Sequence, residues 1–343
     1  MKSLLLSKYQ KLEYIDFPEP EITDNEVLVR VKTCGICGSD IHGYDGSTGR
    51  RIPPLIMGHE AAGEIASVGN SVTAWKKGDR VTFDSTISCG VCPYCREGLN
   101  NLCDQRRVIG VSCDEYRRHG AFAEYVAIPE HILYRIPDGV SDEQAALIEP
   151  VSIAFHAVNL TPIKLDDSVV VVGAGMIGLL VVQALRLAGC GQIIVVDIDP
   201  SKFELASQFG ADICLVSDVD IVKKQVFDMT GGRGAACAFD VVGIASSLAV
   251  SFAGLRKGGH ITLVGNLKTS VDFPLQQVVT RQVSLQGSCA SSGEYPACLD
   301  MIRRGRIQVD PIISAVAPLS EGAQWFDRLY RRDGNFLKVV LKP

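Results

Sequence analysis

The chain lacks any apolar run long enough to cross a bilayer, any basic stripe, any internal repeat and any low-complexity tract. A membrane-spanning helix needs about 20 consecutive apolar residues. The apolar runs here, such as Ser168 to Val172 and Ile193 to Val196, are far shorter, are interrupted by glycine and acidic residues, and read as buried strands. After Met1-Lys2-Ser3 only three leucines precede Ser7-Lys8, too few for the core of a signal peptide. With 34 basic and 39 acidic residues and a net charge of -5, nothing favours DNA, RNA or an anionic membrane. These absences point to a cytoplasmic protein with neither a nucleic-acid nor a membrane partner. At 343 residues, 47% hydrophobic and 21% charged, the chain is ordinary globular material for about two domains.

Cysteine is not scarce. Of twelve, four (Cys89, Cys92, Cys95 and Cys103) fall in the spacing C-x2-C-x2-C-x7-C. In a reducing compartment such density argues for thiolate ligands, not disulfides. Four thiolates satisfy tetrahedral zinc, and Cys89-Gly90-Val91-Cys92-Pro93 supplies turn chemistry that aims neighbouring sulfurs at one centre. No histidine or open position belongs to the group, so it reads as a closed structural site. The chemistry must lie elsewhere.

The grammar of the sequence changes near residue 150. Before it come short alternating segments punctuated by glycine and proline, such as Glu26 to Val31, Gly63 to Val68 and Asp79 to Phe83, which predict a β-rich domain. After Pro150 the order becomes strand, glycine turn, helix, strand: Ser168 to Val172, Met176 to Ala188, Ile193 to Asp197, Pro200 to Phe209, Ile213 to Val216, and onward to Gly259 to Val264. That repetition predicts right-handed crossovers and a parallel sheet. From about Gly287 the text is mixed again, with helices expected around Glu294 to Arg304 and Ser320 to Arg332 and a closing strand over Leu337 to Leu341. Some 55 residues form a thin core, so this part is expected to pack back on the first domain. The expected division is 1–152, 153–287 and 288–343, in an α/β protein that joins a β-rich catalytic domain to a doubly wound nucleotide-binding domain.

Val172-Gly173-Ala174-Gly175-Met176-Ile177-Gly178 follows a valine-rich strand and opens an apolar helix, the context in which G-x-G-x-x-G cradles a pyrophosphate. Nineteen residues beyond Gly178, at the end of the next strand, Asp197 is placed to accept hydrogen bonds from ribose hydroxyls and to repel a 2′-phosphate. NAD is therefore expected over NADP. A third constellation is dispersed: Cys37 in Gly35-Ile36-Cys37-Gly38-Ser39-Asp40, His59 and Glu60 in Gly58-His59-Glu60, and Glu149 before Pro150. These are all competent zinc ligands, and three protein ligands with an open position make a catalytic centre. Taken singly, His59 also suits a core histidine and Glu149 a helix N-terminal charge.

With these motifs in place, the whole chain resembles the medium-chain zinc-dependent alcohol and polyol dehydrogenases. It is most similar to the sorbitol and sugar-alcohol branch, with loop lengths similar to galactitol-phosphate dehydrogenases. The resemblance implies a GroES-like catalytic domain, a Rossmann domain and two zinc ions per chain. It implies Cys37, His59 and Glu60 as ligands of the catalytic zinc, with Glu149 as fourth ligand or one water away, and the four-cysteine ladder as the structural zinc site. It further implies Ser39 and His42 as a proton relay, and Lys202 beside Asp197 at the adenosine ribose, with Gly173, Gly175, Met176, Ile177 and Gly178 at the pyrophosphate. Where alcohol dehydrogenases proper carry a cysteine ligand this chain has Glu149, which shifts the reading from simple alcohols toward polyols.

Charge counting adds to this. Zinc held by one thiolate, one carboxylate and a neutral imidazole is formally neutral and remains a strong Lewis acid; direct ligation by Glu149 would weaken it, so Glu149 is expected at one water's distance. The activity read from the sequence is transfer of hydride from a secondary hydroxyl of a small-molecule polyol to NAD, giving a ketose. Alternatives are a phosphorylated polyol, threonine, or a zinc-bearing nucleotide-sensing protein without catalysis. Tyr44, Arg50, Arg51, Arg118 and Phe122 lie in loops that line substrate pockets in relatives. The pairs Arg50-Arg51 and Arg117-Arg118 read as solvated charge, or else as a phosphate clamp. A homodimer or homotetramer is expected through edge strands among Gly259 to Val264 and Gln282 to Gly287.

Overall fold

The computed structural model describes all 343 residues, which form two compact units: Met1–Glu149 with Ser292–Pro343, and Pro150–Ser291. The expected breaks after residues 152 and 287 thus fall three and four residues away, and the chain enters the second unit inside the helix Ile148–Asn159.

In the first unit a mostly antiparallel sheet runs Leu133–Arg135, Arg80–Phe83, Glu60–Val68, Glu26–Gly35, Lys338–Lys342, Ile313–Pro318, and Tyr125–Pro129 also pairs with Glu26–Gly35. Valines at 27, 29 and 31 point one way along the central strand, as period-two alternation requires, and join Leu4, Leu6, Ile56, Phe83, Phe122, Phe326 and Leu341 in one core. The closing strand, expected over Leu337 to Leu341, runs Lys338–Lys342 and pairs Val340 with Gly35. On the other side of the same strand Gly35 faces Glu60. This register brings residues some 300 positions apart to one place, because a slip of one residue would turn every side chain to the opposite face.

Helix Gly322–Tyr330, shorter than the expected Ser320 to Arg332 because Leu319–Glu321 forms a 3-10 turn, buries Phe326 completely. Its ring meets Phe122 edge-on at 5.6 Å and Tyr44 at 5.8 Å, which is how the C-terminal residues share the first unit's core.

The second unit carries six parallel strands: Ile213–Val216, Gln192–Asp197, Ser168–Val172, Ala235–Asp240, Leu255–Leu263 and Ser284–Gly287. Third, second, first, fourth, fifth and sixth in chain order, they are doubly wound, and the order reverses beside Ser168–Val172, where such sheets bind ligands. Val170, Val172, Ile194, Val196, Ala238, Phe252 and Ile261 fill the core. The central strands Ser168–Val172, Gln192–Asp197 and Ala235–Asp240 are buried almost along their whole length, which explains their apolar sequences.

Phe326→Ala should cost about 3–5 kcal/mol by leaving a cavity. Urea unfolding followed by near-ultraviolet circular dichroism should show the first unit destabilised while the second keeps its transition.

Candidate active site

Cys37 caps the short helix Gly38–Tyr44: its sulfur accepts the Ser39 N–H at 3.5 Å, and its own N–H donates to Asp40 Oδ2 at 3.2 Å. His59 and Glu60 stand at the start of the neighbouring strand. One ligand atom from each of Cys37, His59 and Glu60 lies within 4.8 Å of the others, so the three share one centre. His59 Nδ1 is 3.3 Å from Asp40 Oδ1, an outer contact that leaves Nε2 for a metal ion. Burial alone would lower the His59 pKa, but Asp40 and then Cys37 raise it well above the ordinary value. For Asp40 burial pushes upward, while His59 and Arg51 hold the carboxyl below its usual range.

Glu60 is tied from the far end of the chain. Lys338, 1% exposed, donates to Glu60 Oε2 and to the Ile36 carbonyl at 3.0 Å. Burial works against the ammonium, yet Glu60 and Cys37 raise its pKa. Gly35 makes room for the pair, since a Cβ there would lie 2.5 Å from Glu60 Oε2. The second carboxylate oxygen, Oε1, is buried and has no hydrogen-bond partner. An orphaned carboxylate oxygen beside a sulfur and an imidazole is a donor set that fits zinc.

Glu149 falls outside that three-residue group. Desolvation first, with Glu60 and Asp84 adding to it, lifts its carboxyl to about 7 against the opposing pull of His59. Ser39 Oγ is 3.4 Å from His59 Nε2. His42 is exposed, and its backbone carbonyl accepts the Ser47 hydroxyl.

Several residues are placed differently from expectation. Arg51 is no solvated charge: it is 5% exposed, paired with Asp40 at 3.5 Å. Tyr44 and Phe122 lie in the core with 7% and 0% exposure, which takes their rings out of any substrate surface. Arg118 is engaged by Glu26 and donates to the Ala127 carbonyl at 2.8 Å, and Arg117 Nε donates to Ser112 Oγ at 3.2 Å. Sequence reasoning gave no role to Asp40 or Lys338. The available signal for Lys338 was a charge inside an otherwise apolar closing strand.

The four ladder sulfurs also lie within 4.8 Å of one another; tetrahedral zinc at 2.3 Å from each would set them about 3.8 Å apart. All are unbridged. N–H groups of Val91 and Cys92 pull the Cys89 thiol down to about 6, whereas burial and Cys92 push Cys95 up to about 11. Crowded thiols that lose protons in steps fit a site completed by a dication.

In the second unit Gly173 adopts φ +108°, open to glycine alone at little cost. A Cβ on Gly178 would stand 1.8 Å from the Gly173 carbonyl oxygen, whereas one on Gly175 would touch nothing within 4 Å. Gly175 precedes helix Met176–Leu187, whose first turn has no side-chain cap. Free N–H groups over an open glycine form an anion cradle. Asp197 Oδ2 accepts the Ala174 N–H at 2.6 Å, and Lys202 Nζ is 3.2 Å from Oδ1. This cradle fits a dinucleotide.

Residues 23–138 match the family model described as alcohol dehydrogenase GroES-like domain, and residues 177–304 that described as zinc-binding dehydrogenase. Sorbitol dehydrogenase of Bacillus subtilis (strain 168) is 32% identical, covering 100% of this chain and 97% of that protein. D-arabitol-phosphate dehydrogenase of Enterococcus avium is 32% identical over 97% of this chain and 94% of its own. A zinc-binding dehydrogenase from Sinorhizobium meliloti 1021, solved bound to NADP, superposes with a TM-score of 0.90 at 29% identity, over 100% of this chain and 99% of that one.

Metal analysis should find about two zinc ions per chain, falling to about one in Cys37→Ala and in Cys95→Ser. Lys338→Met, which strands a buried carboxylate, should destabilise the metal-stripped protein by about 3–5 kcal/mol and the zinc-loaded protein by less. Urea titrations before and after chelation would show the difference.

Proposed function

Since the chain belongs to the zinc-dependent medium-chain alcohol and polyol dehydrogenase family, we propose that it oxidises a secondary hydroxyl of an unphosphorylated sugar alcohol to a ketone while reducing NAD. The observation that carries this reading is the convergence of Cys37, His59 and Glu60 in one unit, with a glycine cradle and Asp197 in the other. Zinc, when bound by those three residues, supplies Lewis acidity that makes a hydroxyl acidic near neutral pH, and NAD supplies the hydride acceptor. The remaining work belongs to the chain.

Asp40 fixes the imidazole of His59, and Lys338 fixes the carboxylate of Glu60. Ser39 offers a hydroxyl beside His59, a suitable first stop for the substrate's proton. His42 is the next proton carrier, in an exposed position from which solvent can take the proton. Glu149, with a carboxyl lifted to about 7, can hold or release a proton at working pH and orients the hydroxyl that reacts. Asp197 and Lys202 take the adenosine ribose, and the first carboxylate disfavours a 2′-phosphate.

The arginines favour a neutral substrate. Arg51 and Arg118 already donate to protein acceptors and Arg117 gives its Nε to Ser112, so in neither arginine pair are both guanidinium forks left for a phosphate. Twelve unbridged thiols suit a reducing cytoplasm. For assembly, strand Ser284–Gly287 ends its sheet, and Leu275, Val279 and Leu285 nearby are 63%, 71% and 37% exposed. A second copy pairing along that edge would cover them, giving a symmetric dimer by light scattering.

In a panel of sorbitol, xylitol, galactitol, a hexitol phosphate and threonine, NAD reduction should be fastest with a free polyol, with kcat/KM for the phosphate lower by about tenfold or more. Asp197→Ala should weaken NAD by about tenfold and narrow its advantage over NADP. Binding of NADH without turnover of any alcohol would refute the assignment.

A further inference from the structure

Arg51 is the one arginine of the first unit whose guanidinium reaches the reacting corner. Its Nη2 lies 3.3 Å from Ser39 Oγ and 3.5 Å from Asp40 Oδ1, and Nη1 donates to the Arg50 carbonyl at 3.1 Å. The placement is built. Backbone bonds from Ile52 N to Ser112 O at 3.0 Å and from Ser112 N to Arg50 O at 3.3 Å pin the segment. The arginine's stem crosses helix Gly38–Tyr44 at Gly43, where a Cβ would stand 2.1 Å from Arg51 Cγ. Any other residue at 43 would push the guanidinium away.

A serine hydroxyl has one donor and two acceptor sites. With one acceptor site facing Arg51, Ser39 retains one lone pair to receive a proton and its own O–H to pass one on. The fixed cation also steadies oxygen charge while the proton moves. A guanidinium present only to balance Asp40 would have its fork filled by protein acceptors, yet Nε is buried without one.

We propose that Arg51 is a positioning residue of the reaction: it orients the Ser39 hydroxyl so that the substrate's proton enters and leaves by one route. The step balances. The substrate O–H proton moves to Ser39 Oγ as the Ser39 proton passes on toward His42 and solvent, and the carbinol hydrogen leaves with the C–H electron pair as hydride to NAD. This inference rests on the polyol-oxidising function above, and the test separates the two.

Kinetics of Arg51→Met, Arg51→Lys, Ser39→Ala and the Arg51→Met/Ser39→Ala double variant would be compared with wild type, alongside zinc content and NADH affinity. Arg51→Met should lower kcat about tenfold with KM little changed, raise the solvent deuterium isotope effect on kcat, and leave zinc and NADH binding intact. Arg51→Lys should restore most of the rate. Adding Ser39→Ala to Arg51→Met should cost little more, because both act through one hydroxyl. Additive losses, or an unchanged isotope effect with a normal rate, would overturn the proposal. Should Arg51→Met not fold, Gly43→Ala, whose Cβ would displace the arginine stem, decides: a raised isotope effect supports the role and a wild-type value refutes it. Wild-type protein that oxidises no polyol would instead refute the function itself.

Discussion

Two side chains that rarely enter a protein interior, Lys338 and Glu60, meet inside the first unit with 1% and 0% of their surfaces exposed. Burying either alone would be prohibitive, so each is a condition for the other. Their meeting requires that Val340 and Glu60 both face Gly35, on opposite sides of one strand, and that Gly35 have no side chain. The register of three strands, the seating of the C-terminal residues and the position of a carboxylate oxygen next to Cys37 and His59 are therefore one constraint. A hydrophobic pair could close the same sheet at least as firmly. What it could not do is hold a carboxylate within 4.8 Å of a sulfur and an imidazole nitrogen while leaving its Oε1 free of hydrogen bonds.

The same economy of charge governs the other side of the site. Asp40 lies fully buried against His59, and Arg51 is its cationic partner. Around the candidate ligand atoms two carboxylates thus have basic partners, Asp40 with Arg51 and Glu60 with Lys338, while the carboxyl of Glu149 is lifted to about 7. Among the three candidate ligands that leaves the thiolate of Cys37 as the charge without an ion-pair partner, since a metal-binding imidazole is neutral. With both carboxylates already neutralised by cations, the electrostatic environment of a bound dication is less negative than a count of ligands alone suggests, and this preserves its power to acidify a hydroxyl.

How much of this was legible in the sequence follows from the reach of each signal. The cysteine ladder, the glycine loop and Asp197 are local motifs whose spacing encodes their geometry, and the alternation of strand and helix after Pro150 encodes the parallel sheet. Cys37, His59 and Glu60 were legible as ligand types, and their proximity came with the family resemblance. Lys338 was not legible, because its partner is 278 residues away and pairing across a sheet leaves no trace in either segment. Arg51 was misread for a related reason. Next to Arg50 it looks like surface charge, and only Gly43, eight residues earlier, opens the groove that draws it inside.

In the second unit, three glycines of one motif answer three different demands. Gly173 supplies a positive φ, Gly178 lets the helix lie on the Gly173 carbonyl, and Gly175 keeps the helix start open. Asp197 joins the first demand to the ligand. By accepting the Ala174 N–H at 2.6 Å it holds the loop in shape, while its other oxygen, steadied by Lys202, stays at the strand end for a ribose. On the proposed cofactor site, a carboxylate that shapes the glycine loop and also meets the ribose would couple affinity to discrimination. Replacing Asp197 removes the acceptor of the Ala174 N–H, so under that proposal a change of cofactor preference would need a second residue to hold the Ala174 amide.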